Sequence, residues 1–181
     1  MKLAHRKLLI TDLSRLTPEE FRLADKLPLV VVLDNVRSLH NVGSVFRTAD
    51  AFRLEGLCLC GLTATPPHPD LHKTALGAET TVSWRYFSTA TEAVDRLHSS
   101  GYEIYAVEQA EGATSLENQA FEPGKRYAVV LGHEVHGVGQ EVIDRADGCI
   151  EIPQFGTKHS LNVSVAAGMV IWQVYARLIA R

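Results

Sequence analysis

Runs of apolar residues separated by polar turns divide the chain into alternating predicted strands and helices. Residues 29–33 form a continuous apolar run, which is typical of a strand buried on both faces of a parallel sheet. Further strands are predicted at residues 56–61, 81–87, 102–108, 127–131 and 149–152. Because the strands alternate with helices, the order predicts an α/β fold with a mostly parallel sheet and helices on both faces.

The predicted helices lie before and between these strands. Thr17, Pro18 and Glu20 mark the start of the first helix, because a Thr cap, a Pro in the first turn and a following Glu form a capping box. The other helices are predicted at residues 41–52, 70–76, 89–99, 140–146 and 160–179.

Residues 152–168 contain the end of the last predicted strand, a polar loop and the start of the last predicted helix. We predict that Ser160 opens this helix, since a serine hydroxyl accepts one of the free N–H groups of a first turn. Residues 163–174 are almost entirely apolar, although a surface helix needs a broad polar stripe. The loop and first turn, with the polar Asn162, are therefore interpreted as a ligand site. The rest of the helix is interpreted as buried structure that also forms a homodimer interface.

Length and charge set the limits of the interpretation. With 181 residues and a formal net charge of −3, the chain is expected to form one domain with an ample core. We place a short arm and helix at residues 1–27 and the domain at residues 28–181. The net charge excludes a global basic field, but a local basic patch is sufficient for an RNA partner.

Cysteine usage and apolar run lengths favour a cytoplasmic protein. Three cysteines are an odd number without a disulfide framework, which favours reduced thiols. The apolar run at residues 8–10 is too short for a signal peptide, and no run reaches the roughly 18 residues of a membrane helix. These run lengths argue against a membrane partner. No set of ligands has zinc-site spacing, so no metal is expected either.

A glycine-rich segment, residues 132–139 (the glycine loop), follows a predicted strand. Its two histidines, His133 and His136, are three residues apart, so the loop lacks the spacing of a zinc-protease motif, and it also lacks that of a dinucleotide fingerprint or a phosphate loop. One interpretation is a tight turn with structural glycines. The other is a ligand loop, because α/β sheets bind ligands at the carboxyl ends of their strands.

Residues 35–47 follow the first predicted strand and contain Arg37 and Arg47. We expect Arg47 to project from the same end of its helix as Asn41, where a guanidinium could grip a phosphate. The alternative is an ordinary solvated helix arginine. The histidines in polar turns receive no chemical role, and Ser160 lacks the surroundings of a serine-hydrolase nucleophile.

Three segments of the chain stand out in order. They contain Asn35, Arg37, Asn41 and Arg47; then Leu131, Gly132, Glu134 and Gly137; and finally Ile152, Pro153, Ser160, Leu161 and Asn162. Taken together, they resemble the SpoU (TrmH-type) branch of the SPOUT RNA 2′-O-methyltransferases. The resemblance implies a deep trefoil knot at about residues 130–175. It also implies S-adenosyl-L-methionine as cofactor and an enzyme that methylates a ribose 2′-hydroxyl of tRNA or rRNA.

The same resemblance implies roles for individual residues. Arg47 matches the catalytic arginine, and the polar residues around it are Asn41, Glu134, Ser160 and Asn162. The cofactor pocket would be formed by Leu131, Gly132, Glu134, Gly137, Ile152, Pro153, Ser160 and Leu161. The RNA contacts are predicted from charge instead: the basic arm residues Lys2, Arg6, Lys7 and Arg15, together with Arg37 and Lys73, are expected to contact phosphates. Larger members of the family grip RNA through terminal extensions, whereas about 28 residues precede the first strand here, which leaves the RNA target open.

Two rival interpretations remain beside this one. A non-catalytic RNA-binding protein could keep the fold, but loss of Arg47 or Asn162 would then be expected, and both are present. An α/β enzyme acting on a nucleotide is the second rival, and the missing phosphate-loop patterns count against it.

Overall fold

The computed structural model describes residues 5–179. Seven parallel strands form one sheet in the order β3-β2-β1-β6-β4-β7-β5. The strands are β1 (Leu27–Asp34), β2 (Leu54–Cys60), β3 (Trp84–Phe87), β4 (Tyr102–Val107), β5 (Thr114–Ser115), β6 (Arg126–Leu131) and β7 (Gly148–Glu151). The α-helices in this part of the chain are α1 (Pro18–Leu23), α2 (Leu39–Ala51), α3 (Pro69–Ala75), α4 (Ala90–Ser99), α5 (Gln140–Ile143) and α6 (Val163–Leu178).

Helices cover both faces of the sheet, as predicted. Side chains alternate along a strand, so β1 sends Val31 and Leu33 to one face and Val30 and Val32 to the other. The first face packs against α2, α3 and α6, and the second against α4 and α5. Both faces of β1 are therefore buried, which explains its continuous apolar run.

The capping box of α1 is present as predicted, but two other helix starts were misplaced. α6 begins after Asn162 rather than at Ser160, because the Asn162 side chain accepts the N–H groups of Ser164 and Val165. α2 begins after Ser38, whose hydroxyl accepts the N–H of Asn41, so Asn41 lies inside the first turn. In both cases a neighbouring polar residue fits the cap geometry better.

The strand predicted at residues 81–87 is shorter than expected. Thr81 and Val82 both donate their N–H groups to the carbonyl of Ala78, which ends a 3₁₀ turn, so pairing with β2 begins only at Trp84. Strand β5 was not predicted, because a two-residue strand is defined by its pairing with β7 and leaves no periodic pattern.

The apolar surface of α6 is only partly buried. Val170, Ile171 and Val174 lie in the core, whereas Val165, Met169 and Trp172 are 48%, 42% and 56% exposed. The prediction that the whole helix is buried is therefore wrong for this chain alone. The three exposed side chains follow one another at helical spacing, and we call them the apolar stripe of α6.

Helices α2 and α6 run side by side in the same direction. Their first turns meet where the Asn162 side chain donates to Asn41. Their distant ends meet where Phe52, the C-cap of α2, contacts the rings of Trp172 and Tyr175. The two loops that precede these helices are thereby held next to each other.

Candidate active site

The carboxyl ends of β6, β4 and β7 surround a cavity of about 270 Å³. The glycine loop follows β6, and a second loop, residues 153–161 (the final loop), follows β7 and leads to α6. Seven of the predicted cofactor residues line this cavity: Leu131, Gly132, Glu134, Gly137, Ile152, Ser160 and Leu161. Pro153 is not among the lining residues, although Gln154 beside it is.

The glycine loop is a tight turn closed by backbone hydrogen bonds. His133 and Gly137 exchange N–H···O bonds of 3.1 and 2.8 Å. A side chain at Gly132 would collide with the carbonyl of Gly137, and Gly137 itself has a positive φ of 64°. The Nδ1 atom of His133 accepts the N–H of Val135 at 2.9 Å. The glycines are therefore structural, and the turn they form also lines the cavity.

The carboxylate of Glu134 joins this loop to the start of α2. It accepts the backbone N–H groups of Arg37 and Ser38 at 3.1 and 3.0 Å, and the side-chain N–H of Asn41 at 3.1 Å. Partial burial opposes ionisation of this carboxyl, but the hydrogen bonds outweigh it and hold the pKa of Glu134 below its ordinary value. Glu134 is consequently a fixed, charged acceptor.

Asn41 and Asn162 continue the network to α6. The Asn162 amide donates to the Asn41 oxygen at 3.0 Å, while its own oxygen accepts from Ser164. Three segments that the resemblance singled out are thus connected through Glu134, Asn41 and Asn162. Ser160 is exposed in the final loop, and no hydrogen bond of its side chain occurs among residues 5–179.

Arg47 lies elsewhere on α2 than expected. Asn41 is in the first turn, and six further residues advance a helix by about 9 Å while turning it through about 240°. The prediction that both residues project from the same end of the helix is therefore wrong. The Arg47 side chain is exposed, and within the described part of the chain it makes neither an ion pair nor a hydrogen bond. The guanidinium is therefore available to contact a ligand.

The predicted RNA contacts are spread over the surface. Arg37 is exposed next to the Glu134 network. Lys73 forms an ion pair of 2.7 Å with Asp70, and Arg6 one of 3.1 Å with Asp12. Lys7 and Arg15 are exposed, and Lys2 lies outside the described residues.

The predicted cofactor residues leave out ten of the residues that line the cavity, among them Glu108 and Gln109, which directly follow β4. Their position after a strand was the available signal, since ligands in parallel sheets bind at the carboxyl ends of strands. Over residues 5–179, no group of three or more His, Cys, Asp and Glu side chains is arranged to hold a metal ion. None of the helices described is long and apolar enough to cross a membrane.

Comparison with known proteins agrees with this architecture. The sequence model of the SpoU rRNA methylase family matches residues 28–172, so the chain belongs to that family. A protein of Staphylococcus haemolyticus, assigned to the TrmH family of tRNA/rRNA methyltransferases, is 32% identical over 151 residues, which are 83% of this chain and 59% of that protein. The chain thus spans about six-tenths of the length of that relative.

Solved structures share the fold. A protein studied for the 2-OH methylation of C/U34 on tRNA is 28% identical, with a TM-score of 0.75, over 84% of this chain and 97% of its own. An AdoMet-bound rRNA methyltransferase from Sinorhizobium meliloti is 24% identical, with a TM-score of 0.78, over 86% of this chain and 61% of its own. At that identity, the second likeness concerns the fold alone.

Proposed function

We propose that the protein is an S-adenosyl-L-methionine-dependent methyltransferase that adds a methyl group to a ribose 2′-hydroxyl of tRNA or rRNA. The observation that carries this proposal is the cavity at the ends of β6, β4 and β7, joined to α2 through Glu134, Asn41 and Asn162. Membership of the SpoU family supports it, and so does the AdoMet bound in the Sinorhizobium meliloti protein of the same fold.

The charges around the cavity suit this cofactor. Glu108 and Glu134 are lining carboxylates, and the described lining contains neither Lys nor Arg. A sulfonium and an ammonium group are therefore received by a negative rather than a positive surface. The neighbouring Leu131, Ile152 and Leu161 offer apolar surface for the adenosyl part.

When bound, S-adenosylmethionine supplies a methyl group on positively charged sulfur. The residues of this chain position the ribose and stabilise charge. Arg47 pairs with the phosphate beside the target ribose and stabilises the negative charge that develops on the 2′-oxygen. Because a guanidinium keeps its proton in water, we assign it this role rather than that of a base, and the proton of the 2′-hydroxyl passes to solvent water.

The polar residues near the cavity hold the reacting groups in place. Asn41, Glu134 and Asn162 fix one another through hydrogen bonds. Ser160 stays exposed on the final loop, where its hydroxyl can contact the ribose. Correct placement of two reactants is itself worth several kcal/mol of the barrier.

The RNA would approach over Arg37, with Lys73, Arg6 and Lys7 as outer phosphate contacts. These side chains are exposed and cationic. Binding should weaken steeply with added salt, because each neutralised phosphate releases counterions. Binding that is insensitive to salt would contradict these contacts.

We further propose a homodimer, a trefoil knot at about residues 130–175 and a domain that begins near residue 28. The apolar stripe of α6 supports the dimer, since exposed Val165, Met169 and Trp172 lie together on one helix. Exposed Arg47 would then act on the site of the second subunit. Family membership supports the knot, and the match at residues 28–172 supports the domain boundary.

Calorimetry with S-adenosylmethionine and a methylation assay test the main proposal together. The expected dissociation constant is about 1 mM or lower, and labelled methyl should appear on 2′-oxygens of tRNA or rRNA. A non-catalytic RNA-binding protein would bind RNA without transferring the methyl group. Mapping 2′-O-methyl sites in cells that lack the protein would identify the nucleotide.

A further inference from the structure

Strand β4 occupies a special place relative to the cavity. It lies between β6 and β7, and those two neighbours lead into the glycine loop and the final loop. Residues that directly follow β4 therefore stand between the two loops. These residues are Glu108 and Gln109, and both line the cavity.

Glu108 holds the glycine loop. One carboxylate oxygen, Oε2, accepts the N–H of Val138 at 2.8 Å, and the other accepts the N–H of Gln109 at 2.9 Å. A Cβ atom at Gly137 would collide with Oε2, so the close approach of this carboxylate requires glycine there. The loop therefore packs directly on Glu108.

The backbone of Glu108 is itself fixed to β7. Its N–H donates to the carbonyl of Ile150 at 3.0 Å, and its carbonyl accepts from the Cys149 thiol at 3.4 Å. The backbone of Glu108 is thus anchored to β7, and its side chain reaches the glycine loop from a fixed position.

Gln109 holds the final loop. Its Nε2 atom donates to the carbonyl of His159 at 2.8 Å. Between residues 153 and 161, this carbonyl is the one backbone group that hydrogen-bonds to any residue of the described chain. Gln109 therefore supplies the one backbone hydrogen bond that ties the final loop to the rest of the described chain.

We propose that Glu108 and Gln109 are positioning residues that hold the glycine loop and the final loop at the separation required by the bound cofactor. The identity of the cofactor rests on the proposed function, whereas the holding of the loops does not. Neither side chain takes part in the reaction, so their loss should weaken cofactor binding and leave turnover at saturating cofactor nearly unchanged.

Variants of Gln109 give the sharper test. Gln109→Ala removes the side chain, and Gln109→Glu keeps its size but removes the N–H donor. Gln140→Ala is the matched control, because Gln140 is exposed on α5 outside the cavity. Trypsin cleavage after Lys158, the single Lys or Arg of the final loop, reports the freedom of that loop without any ligand.

Loss of one hydrogen bond should raise the rate of cleavage after Lys158 and the KM for S-adenosylmethionine by roughly threefold to tenfold. The melting temperature and kcat of the two Gln109 variants should match those of Gln140→Ala. Unchanged cleavage and unchanged KM in both Gln109 variants would overturn the proposal for the final loop.

Glu108→Gln tests the glycine loop through the amide of Val138. Its hydrogen exchange should accelerate by about tenfold, since a neutral amide replaces a charged acceptor. Exchange equal to that of Glu111→Gln, an exposed control, would overturn this half. If Glu108→Gln fails to fold, the Gln109 variants still test whether this pair of residues holds the loops.

The two proposals fail in different ways. A wild-type protein that binds no S-adenosylmethionine, with faster loop cleavage in the Gln109 variants, would refute the cofactor and keep the positioning role. A wild-type protein that binds it, with Gln109 variants of equal affinity, would refute the positioning role and keep the cofactor.

Discussion

Glu134 links the glycine loop to the start of α2 through one carboxylate. Its hydrogen bonds hold its pKa below the ordinary value of 4.5. A depressed folded pKa contributes stability that is present above the unfolded value and is lost as the pH falls through the folded value. The contribution should therefore be complete at neutral pH and vanish in acid.

Glu134→Gln tests this contribution. The variant should lower the free energy of unfolding by about 1–2 kcal/mol at pH 7, because hydrogen bonds to a charged acceptor are weakened. The deficit should shrink below the ordinary carboxyl range, where the wild-type carboxyl is itself protonated. Urea unfolding at neutral and acidic pH measures the deficit and its decrease in acid, with Glu111→Gln as the control. A deficit independent of pH would refute the assignment.

Arg47→Ala tests the proposed charge stabiliser. Cofactor affinity should persist, because Arg47 is not among the cavity-lining residues. Methyl transfer should fall by about 10²–10³, the usual effect of removing one preorganised donor. Arg47→Lys should recover only part of the methyl-transfer rate, since the point charge of an ammonium group replaces the two-pronged guanidinium. Arg96→Ala, an exposed arginine on α4, is the control, and wild-type turnover in Arg47→Ala would exclude the role.

Seven of the eight predicted cofactor residues line the cavity, but the way they meet could not be predicted. Glu134, Asn41 and Asn162 could be named because three motifs contain them, and their hydrogen bonds now show how they meet. Glu108 was missed although it directly follows a predicted strand end, because a single carboxylate at that place matches no motif. Arg47 was expected beside Asn41, but it lies in the middle of α2, because six helical residues separate the two.

Among the elements, α6 combines a structural and a chemical role in its cap. Asn162→Ala should lower the free energy of unfolding by about 1 kcal/mol, the usual cost of losing an N-cap. Asn162→Asp should keep the cap, because its carboxylate still accepts from Ser164, but it loses the donor to Asn41.

Urea unfolding and methyl transfer separate the two roles. Asn162→Asp should unfold like the wild type and yet transfer methyl groups more slowly. Thr89→Ala removes the cap of α4 on the opposite face and should cost stability without changing the reaction. Wild-type activity in Asn162→Asp would show that Asn162 only caps the helix.

Strands were easier to predict than helix starts for a physical reason. In a parallel sheet covered on both faces, burial imposes an apolar run, as in β1. A helix start depends on which of several polar residues accepts the first N–H groups. Near the start of α6, Ser160, Asn162 and Ser164 all qualify by residue type, and only the path of the chain selects Asn162 as the cap.

For the whole molecule, the apolar stripe of α6 predicts the assembly. Trp172→Asp should weaken self-association at least about tenfold, because burial of a large apolar side chain is worth more than 1.4 kcal/mol. Sedimentation equilibrium measures this, and Tyr86→Asp, at a 52% exposed aromatic residue of β3, is the control. A substitution of Val170 would not test self-association, because Val170 lies in the core of the single chain. A wild-type monomer at micromolar concentration would refute the dimer.

Mixing Arg47→Ala with Asn162→Ala tests whether one active site draws on both subunits. If the two residues act across the interface, each mixed dimer contains one intact site and activity returns. If they act within one subunit, mixing restores nothing although dimers persist.

The strand order has a consequence for synthesis on the ribosome. One edge of β1 pairs with β2, which is made early. Its other edge pairs with β6, where Val31 is the partner of Val129, and β6 is made much later. Until β6 has been made, a nascent chain carries an apolar strand with an open edge, which is a template for aggregation. Products of premature termination before β6 should therefore be insoluble. They would also lack most of the cavity, whose lining starts at Val107 and ends at Ala166.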